Sequence, residues 1–83
     1  MNYRDEALKK VMDIFRRELG DENLLIDFAS SPGSIEKWDS INNLMLLNRI
    51  EEAFGVSFPT EVIFKIETVG DICDYLVKAR NLD

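Results

Sequence analysis

The chain contains no histidine and a single cysteine, Cys73. Without an imidazole, neither a Ser-His-Asp nor a Cys-His arrangement can be built, and a zinc site would have to come from carboxylates and one thiol. The lone thiol has no partner for an internal disulfide. Asp21-Glu22-Asn23 lacks the glycine and distal glutamate of a calcium loop, and no glycine-rich stretch leads into Lys and Ser/Thr to cradle a nucleotide. Adjacent carboxylates such as Glu51-Glu52 point about 100° apart on a helix and read as solvated charges rather than an acid-base pair. Catalysis and metal binding are therefore not expected.

Long apolar runs are missing as well. Leu44 to Leu47 is bracketed by Asn43 and Asn48, far short of the roughly 20 residues needed to span a bilayer. The opening Asn2-Tyr3-Arg4-Asp5 is not an apolar signal segment, so a cytoplasmic location is expected. Bases are outnumbered, ten against sixteen acids, and the net charge of -6 disfavours nucleic-acid phosphates and anionic lipid. The same balance suits basic partners, or simply solubility.

What is present fits one small core. Eighty-three residues, 46% of them apolar, match a single globular domain over residues 1–83, expected as a monomer. Leu8, Val11, Met12, Phe15 and Leu19, widened by Ala7 and Ile14, line one face of a helix from Tyr3 to Leu19 that Gly20 ends. From Gly20 to Trp38 the periodicity dissolves among turn formers, Ser30-Ser31-Pro32-Gly33-Ser34 above all, and a long loop is expected there. Leu25, Ile26, Phe28 and Ile35 are the candidates for anchoring it to the core.

A second helix is predicted from Asp39 or Ser40 to Phe54, stopped by Gly55. Its wheel assigns Leu44, Leu46, Leu47, Ile50, Ala53 and Phe54 to the core and leaves Ile41, Met45, Arg49 and Glu52 outward. After Phe58-Pro59, a short helix is predicted from Thr60 to about Ile66, and a last one, capped by Thr68, to about Arg80. The fold class is an all-α bundle of three main helices plus one short helix between the second and third. The phenylalanines, Phe15, Phe28, Phe54, Phe58 and Phe64, read as core or as the lining of a cavity, and Cys73 as a small half-buried filler.

The chemistry left to find sits at Asp39-Ser40-Ile41, a serine opening an amphipathic helix behind Trp38. Unpaired amides and the positive end of the helix dipole would welcome a phosphate ester on Ser40. An ordinary cap explains the same dipeptide. Trp38 is either a partner contact or a staple packed back onto the helix.

The wider pattern runs Trp38-Asp39-Ser40-Ile41, then Ile50-Glu51-Glu52-Ala53-Phe54-Gly55-Val56, then Phe58-Pro59, then Thr68-Val69-Gly70-Asp71. It resembles the acyl carrier protein family along the whole chain, most strongly from Glu36 to Leu76. The resemblance implies that Ser40 is esterified by 4′-phosphopantetheine from coenzyme A. The arm's terminal thiol then holds an acyl or aminoacyl group as a thioester, the reactive sulfur belonging to the cofactor. Asp39 would cap the helix and help the phosphopantetheinyl transferase engage the site. Ile41 stands where the family usually has leucine. Acyl-loading and acyl-transferring enzymes are the implied partners.

The sequence departs from the family's pattern in a second way. Fatty-acid-synthesis carriers are strongly acidic soon after the serine, whereas here Asn42, Asn43, Met45 and Arg49 occupy that stretch. An apolar contact made by Ile41 and Met45, with Glu52 and Glu51 as steering charges, is the expectation, alongside the reading of Met45 as a scattered surface residue. The diluted acidity hints at a specialised pathway, such as secondary metabolism, rather than housekeeping fatty acid synthesis. The Gly-Gly-His-Ser of peptidyl carriers is absent. The rival function is an unmodified helical adaptor that binds proteins through Ile41, Met45 and Arg49.

Overall fold

The computed structural model describes residues 2–81, so the ends of the expected 1–83 unit lie outside the described residues. Four helices follow one another: α1 (Tyr3–Leu19), α2 (Ser40–Phe54), α3 (Thr60–Ile63) and α4 (Val69–Asn81). No strand occurs among the described residues, and the all-α bundle of three main helices and one short one stands as predicted.

Local chemistry sets the helix ends. The Asn2 side chain caps α1 by accepting the Asp5 N–H at 2.9 Å. Gly20 and Gly55 close α1 and α2 in the left-handed region, at φ 67° and 66°, where a side chain would strain the backbone. At α4, Asp71 Oδ2 accepts the N–H groups of Glu67 and Thr68 while Thr68 Oγ1 accepts the Asp71 N–H, a reciprocal cap. The short helix α3 stops at Ile63 rather than Ile66. Its first residue follows Pro59, which offers no capping side chain, and none of its residues is buried.

Ala7, Val11, Ile14, Phe15 and Leu19 of α1 meet Leu46, Leu47 and Ile50 of α2 and Val69, Ile72, Cys73 and Leu76 of α4 in one core. Cys73 is fully buried there, deeper than the half-buried position expected, and burial pushes its thiol pKa up to about 11.

The connection from Gly20 to Asp39 is non-helical, as anticipated, but it is tied down. Arg16 Nε donates to the Leu24 carbonyl at 2.7 Å and Lys37 Nζ to that of Leu19 at 3.2 Å. The carbonyls of Ser30 and Phe28 accept the N–H groups of Val69 (2.9 Å) and Gly70 (2.8 Å), so the loop itself caps the start of α4. A Cβ on Gly70 would lie 2.8 Å from the Phe28 oxygen, which explains glycine inside a helix. Ile26 and Ile35 are buried and Phe28 half-buried, as expected of anchors, while Leu25 is 78% exposed. Three anchors and these hydrogen bonds suffice to hold the loop.

The wheel of α2 needs correction at three positions. Leu44, placed in the core by spacing, is 59% exposed, and Ala53 is exposed as well. Met45, placed outward, is half-buried against the core. The buried stripe of α2 is the narrow Leu46-Leu47-Ile50 set because its main contact is α1, and α3 covers little of its other flank. Phe64 is likewise exposed rather than core, because it follows the last turn of α3.

Candidate functional site

Ser40 is exposed and is the first residue of α2, held there by Asp39. Asp39 has extended backbone, and its Oδ1 accepts the N–H groups of Ile41 (3.1 Å) and Asn42 (2.8 Å). The carbonyl of Asp39 accepts the Asn43 N–H at 2.8 Å, the first bond of the helix. Two of the amides expected to greet a phosphate are therefore already occupied by the capping carboxylate. The Ser40 N–H and hydroxyl have no partner among the described residues.

The approach to Ser40 is braced by packing and hydrogen bonds. Trp38, 1% exposed, packs edge-on against Phe15 with ring centroids 5.0 Å apart. Its indole N–H donates to Asn43 Oδ1 at 2.8 Å, fastening the residue before the cap to the first turn of α2. Asn42 Nδ2 donates to the Lys37 carbonyl at 2.7 Å, a second tether across the same junction. Trp38 is thus a staple and not a partner contact, with a hydrogen bond to α2 supplementing its apolar packing on α1. Asn42 and Asn43, which the family resemblance marked only as missing acids, are the residues that lock the loop onto the helix.

Beyond Ser40 the outward face is uneven. Ile41 is 80% exposed. Arg49 is not a free cation: Nε lies 2.9 Å from Glu18 Oε1 on α1, and Nη1 lies 3.4 Å from Glu52 Oε1. The hydrogen bond to Glu18 raises the Arg49 pKa, and the same bond holds the Glu18 carboxyl below its ordinary value. Glu51 turns inward, its Oε2 accepting the Phe58 N–H at 2.6 Å, and so anchors the link to α3.

Ile41 and Glu52 are exposed, whereas Met45 and Arg49 are only partly accessible. A cleft of about 170 Å³ near the end of α1 is lined by Leu19, Leu24 and Ile35 with Asp21, Ser34, Glu36 and Lys37, and by none of the phenylalanines.

The geometry is that of a presented side chain, an exposed hydroxyl on a braced helix end. Comparison with known proteins agrees with that picture. Residues 9–76 match the family described as phosphopantetheine attachment site. The acyl carrier protein of Rubrobacter xylanophilus is 38% identical over 76 residues, covering 90% of this chain and 93% of that protein. The chain belongs to the acyl carrier protein family.

Two further acyl carrier proteins support the assignment. That of Syntrophobacter fumaroxidans is 36% identical over 71 residues, covering 86% of this chain and 88% of its own length. That of Thermosynechococcus vestitus is 32% identical over 74 residues, covering 88% and 90%. Members of the family are carriers and not enzymes, and their prosthetic group is 4′-phosphopantetheine. The residues at the head of α2 fit that group: an exposed hydroxyl free of internal bonds can be esterified without breaking a contact, and the cap that orders it comes from Asp39 instead. No helix among the described residues is long and apolar enough to cross a membrane.

Proposed function

We propose that Ser40 is the residue that carries the 4′-phosphopantetheine arm and that residues 1–83 act as one carrier domain. The observation that carries this reading is the position of Ser40. Among the serines of the chain it alone opens a helix, and its hydroxyl is exposed and unbonded, whereas those of Ser30 and Ser34 are engaged in turns. The arm supplies a thiol on which an acyl or aminoacyl group travels as a thioester. The protein's part is to hold the attachment point rigid through Asp39, Trp38 and Asn43 while leaving the arm free.

Asp39 has a second part in this reading, as a feature the phosphopantetheinyl transferase engages beside Ser40. The partner side of the molecule is the face of α2 that carries Ile41, Met45, Arg49 and Glu52, where Ile41 and Glu52 are freely accessible and Met45 contributes its exposed edge. Arg49 serves that face by fixing α2 to α1. The partners are enzymes that load and unload the arm, acting with the carrier in the cytoplasm. The sparse acidity just after Ser40 favours a specialised pathway over general fatty acid synthesis.

A thiol count tests the reading. Because Cys73 is fully buried and its pKa is pushed up to about 11, the folded apo-protein should react with a thiol reagent at neutral pH only through opening. After treatment with coenzyme A and a phosphopantetheinyl transferase, one fast-reacting thiol should appear without unfolding. No new fast thiol on protein that remains folded would contradict the assignment.

A further inference from the structure

A carrier can shelter an apolar cargo only if the bundle has room for it within reach of the attachment point. Here that room is taken. Trp38 stands two residues before Ser40 and is the largest fully buried side chain among the described residues. It is held from both sides, by the edge-on contact with Phe15 of α1 and by the hydrogen bond from its indole N–H to Asn43 of α2. Phe15, Leu46 and Ile50 of the same core have no exposed surface. In an interior packed to this density, added methylenes force side chains off their preferred rotamers, so a chain enters only by displacing something. The junction of α2 with α3 is fastened as well. Phe58 is buried with its ring 5.1 Å from that of Tyr75, whose hydroxyl donates to the Ser57 carbonyl at 2.8 Å, while Glu51 accepts the Phe58 N–H. The cleft near the end of α1 suits a hydrocarbon chain poorly, since Asp21, Ser34, Glu36 and Lys37 line it beside three apolar residues.

Resting on the reading of Ser40 as the attachment point, we propose that Trp38 keeps the acyl group out of the bundle, and that the cargo is short or polar and is carried in solvent at the end of the arm. A long apolar chain left outside keeps its methylenes in water, and no burial offsets that exposure. A short acyl, hydroxyacyl or aminoacyl group loses little by it, because its polar atoms are better solvated outside an apolar core. Trp38 sets this preference through the volume of its ring, and the bond to Asn43 keeps the ring in place. The thioester is then open to a partner enzyme without a step that first draws the chain from the core.

The test loads the wild-type chain from acetyl-coenzyme A and, separately, from octanoyl-coenzyme A, with magnesium and a broad-specificity phosphopantetheinyl transferase. Cleavage of each thioester by hydroxylamine is then followed in intact-protein mass spectra. Both loaded forms should be cleaved within about twofold of the matching acyl-coenzyme A, because a chain in solvent is never withdrawn from the reagent. The octanoyl form should melt within about 2 °C of the acetyl form, with the emission of Trp38 unchanged. Trp38→Leu leaves an apolar hollow in place of the ring, so its octanoyl form should be cleaved about fivefold or more slowly and melt above its acetyl form. Octanoyl cleavage about tenfold or more slower on the wild type than on octanoyl-coenzyme A, with a raised melting temperature, would overturn the proposal while leaving Ser40 as the attachment point. That comparison decides the matter even where Trp38→Leu fails to fold. A folded Trp38→Leu carrier whose octanoyl group is no better protected would overturn the part given to Trp38. No mass gain with either donor would instead overturn the assignment of Ser40, and the cargo proposal with it.

Discussion

Arg49 Nε lies 2.9 Å from Glu18 Oε1 and joins α2 to α1. The carboxyl of Glu18 titrates below its ordinary value of 4.5, first because it accepts that hydrogen bond. In the interval between the lowered and the ordinary value the unfolded chain binds more protons than the folded one, so stability rises with pH there. The pair's contribution is in place above 4.5 and is lost as the pH falls through the lowered value. Glu18→Gln should lower the melting temperature at neutral pH, and the gap to wild type should narrow as the pH falls below 4.5 and through the lowered value. A gap that persists unchanged into acid would assign the effect to something other than this ion pair.

Gly70 tests how the loop is fastened to α4. In most helices alanine is preferred to glycine by about 0.5–1 kcal/mol. Here a Cβ would meet the Phe28 oxygen at 2.8 Å and crowd the Arg4 guanidinium, itself stacked 3.8 Å over the Phe28 ring. Gly70→Ala should therefore destabilise, by about 1–3 kcal/mol in chemical denaturation. A neutral or stabilising result would mean that the loop shifts away at little cost.

Trp38 is the sole tryptophan, so its emission reports directly on the brace behind Ser40. Trp38→Phe removes the indole N–H that Asn43 Oδ1 accepts and should cost about 1 kcal/mol or more. Trp38→Ala, which also empties the space beside Phe15, should cost about 3–5 kcal/mol. Equal losses for the two variants would show that packing contributes little beyond the hydrogen bond.

The two parts proposed for Asp39 can be separated. Asparagine also accepts backbone N–H bonds at a helix start, so Asp39→Asn should keep stability close to wild type, while Asp39→Ala should lose about 1 kcal/mol. Transferase recognition of the carboxylate predicts slow modification of both variants. Full-rate modification of Asp39→Asn would leave the cap as the residue's only part.

The bundle was legible because its signals are local. Helical spacing in α1 and α4, the capping residues Asp39 and Thr68, and the stops at Gly20 and Gly55 each act within a turn or two. What escaped the sequence depends on neighbours that spacing cannot name. A wheel shows that Leu44 and Ala53 share an arc with Leu46, Leu47 and Ile50, but not that α1 covers only part of that arc. Exposed Leu25 and Phe64 are of the same kind, since their apolar character marked them for a core that does not reach them.

The head of α2 shows the same division. Ser40 and Asp39 could be picked out by type and position, whereas the roles of Asn42 and Asn43 as tethers, and of Glu18 as the partner of Arg49, are long-range or rotamer-dependent contacts. Family resemblance supplied what local chemistry alone left open at the serine, because a capped helix start looks the same with or without an arm.

The central claim is that Ser40 receives the arm. The measurement that tests it most directly is intact-protein mass spectrometry after incubation with coenzyme A, magnesium and a phosphopantetheinyl transferase, with Ser40→Ala alongside and fragmentation to place the modification. The account predicts the gain of one phosphopantetheinyl group on the wild-type chain, located at Ser40, and none on Ser40→Ala. An unmodified wild type with several transferases, or an arm that still forms on Ser40→Ala, would contradict it.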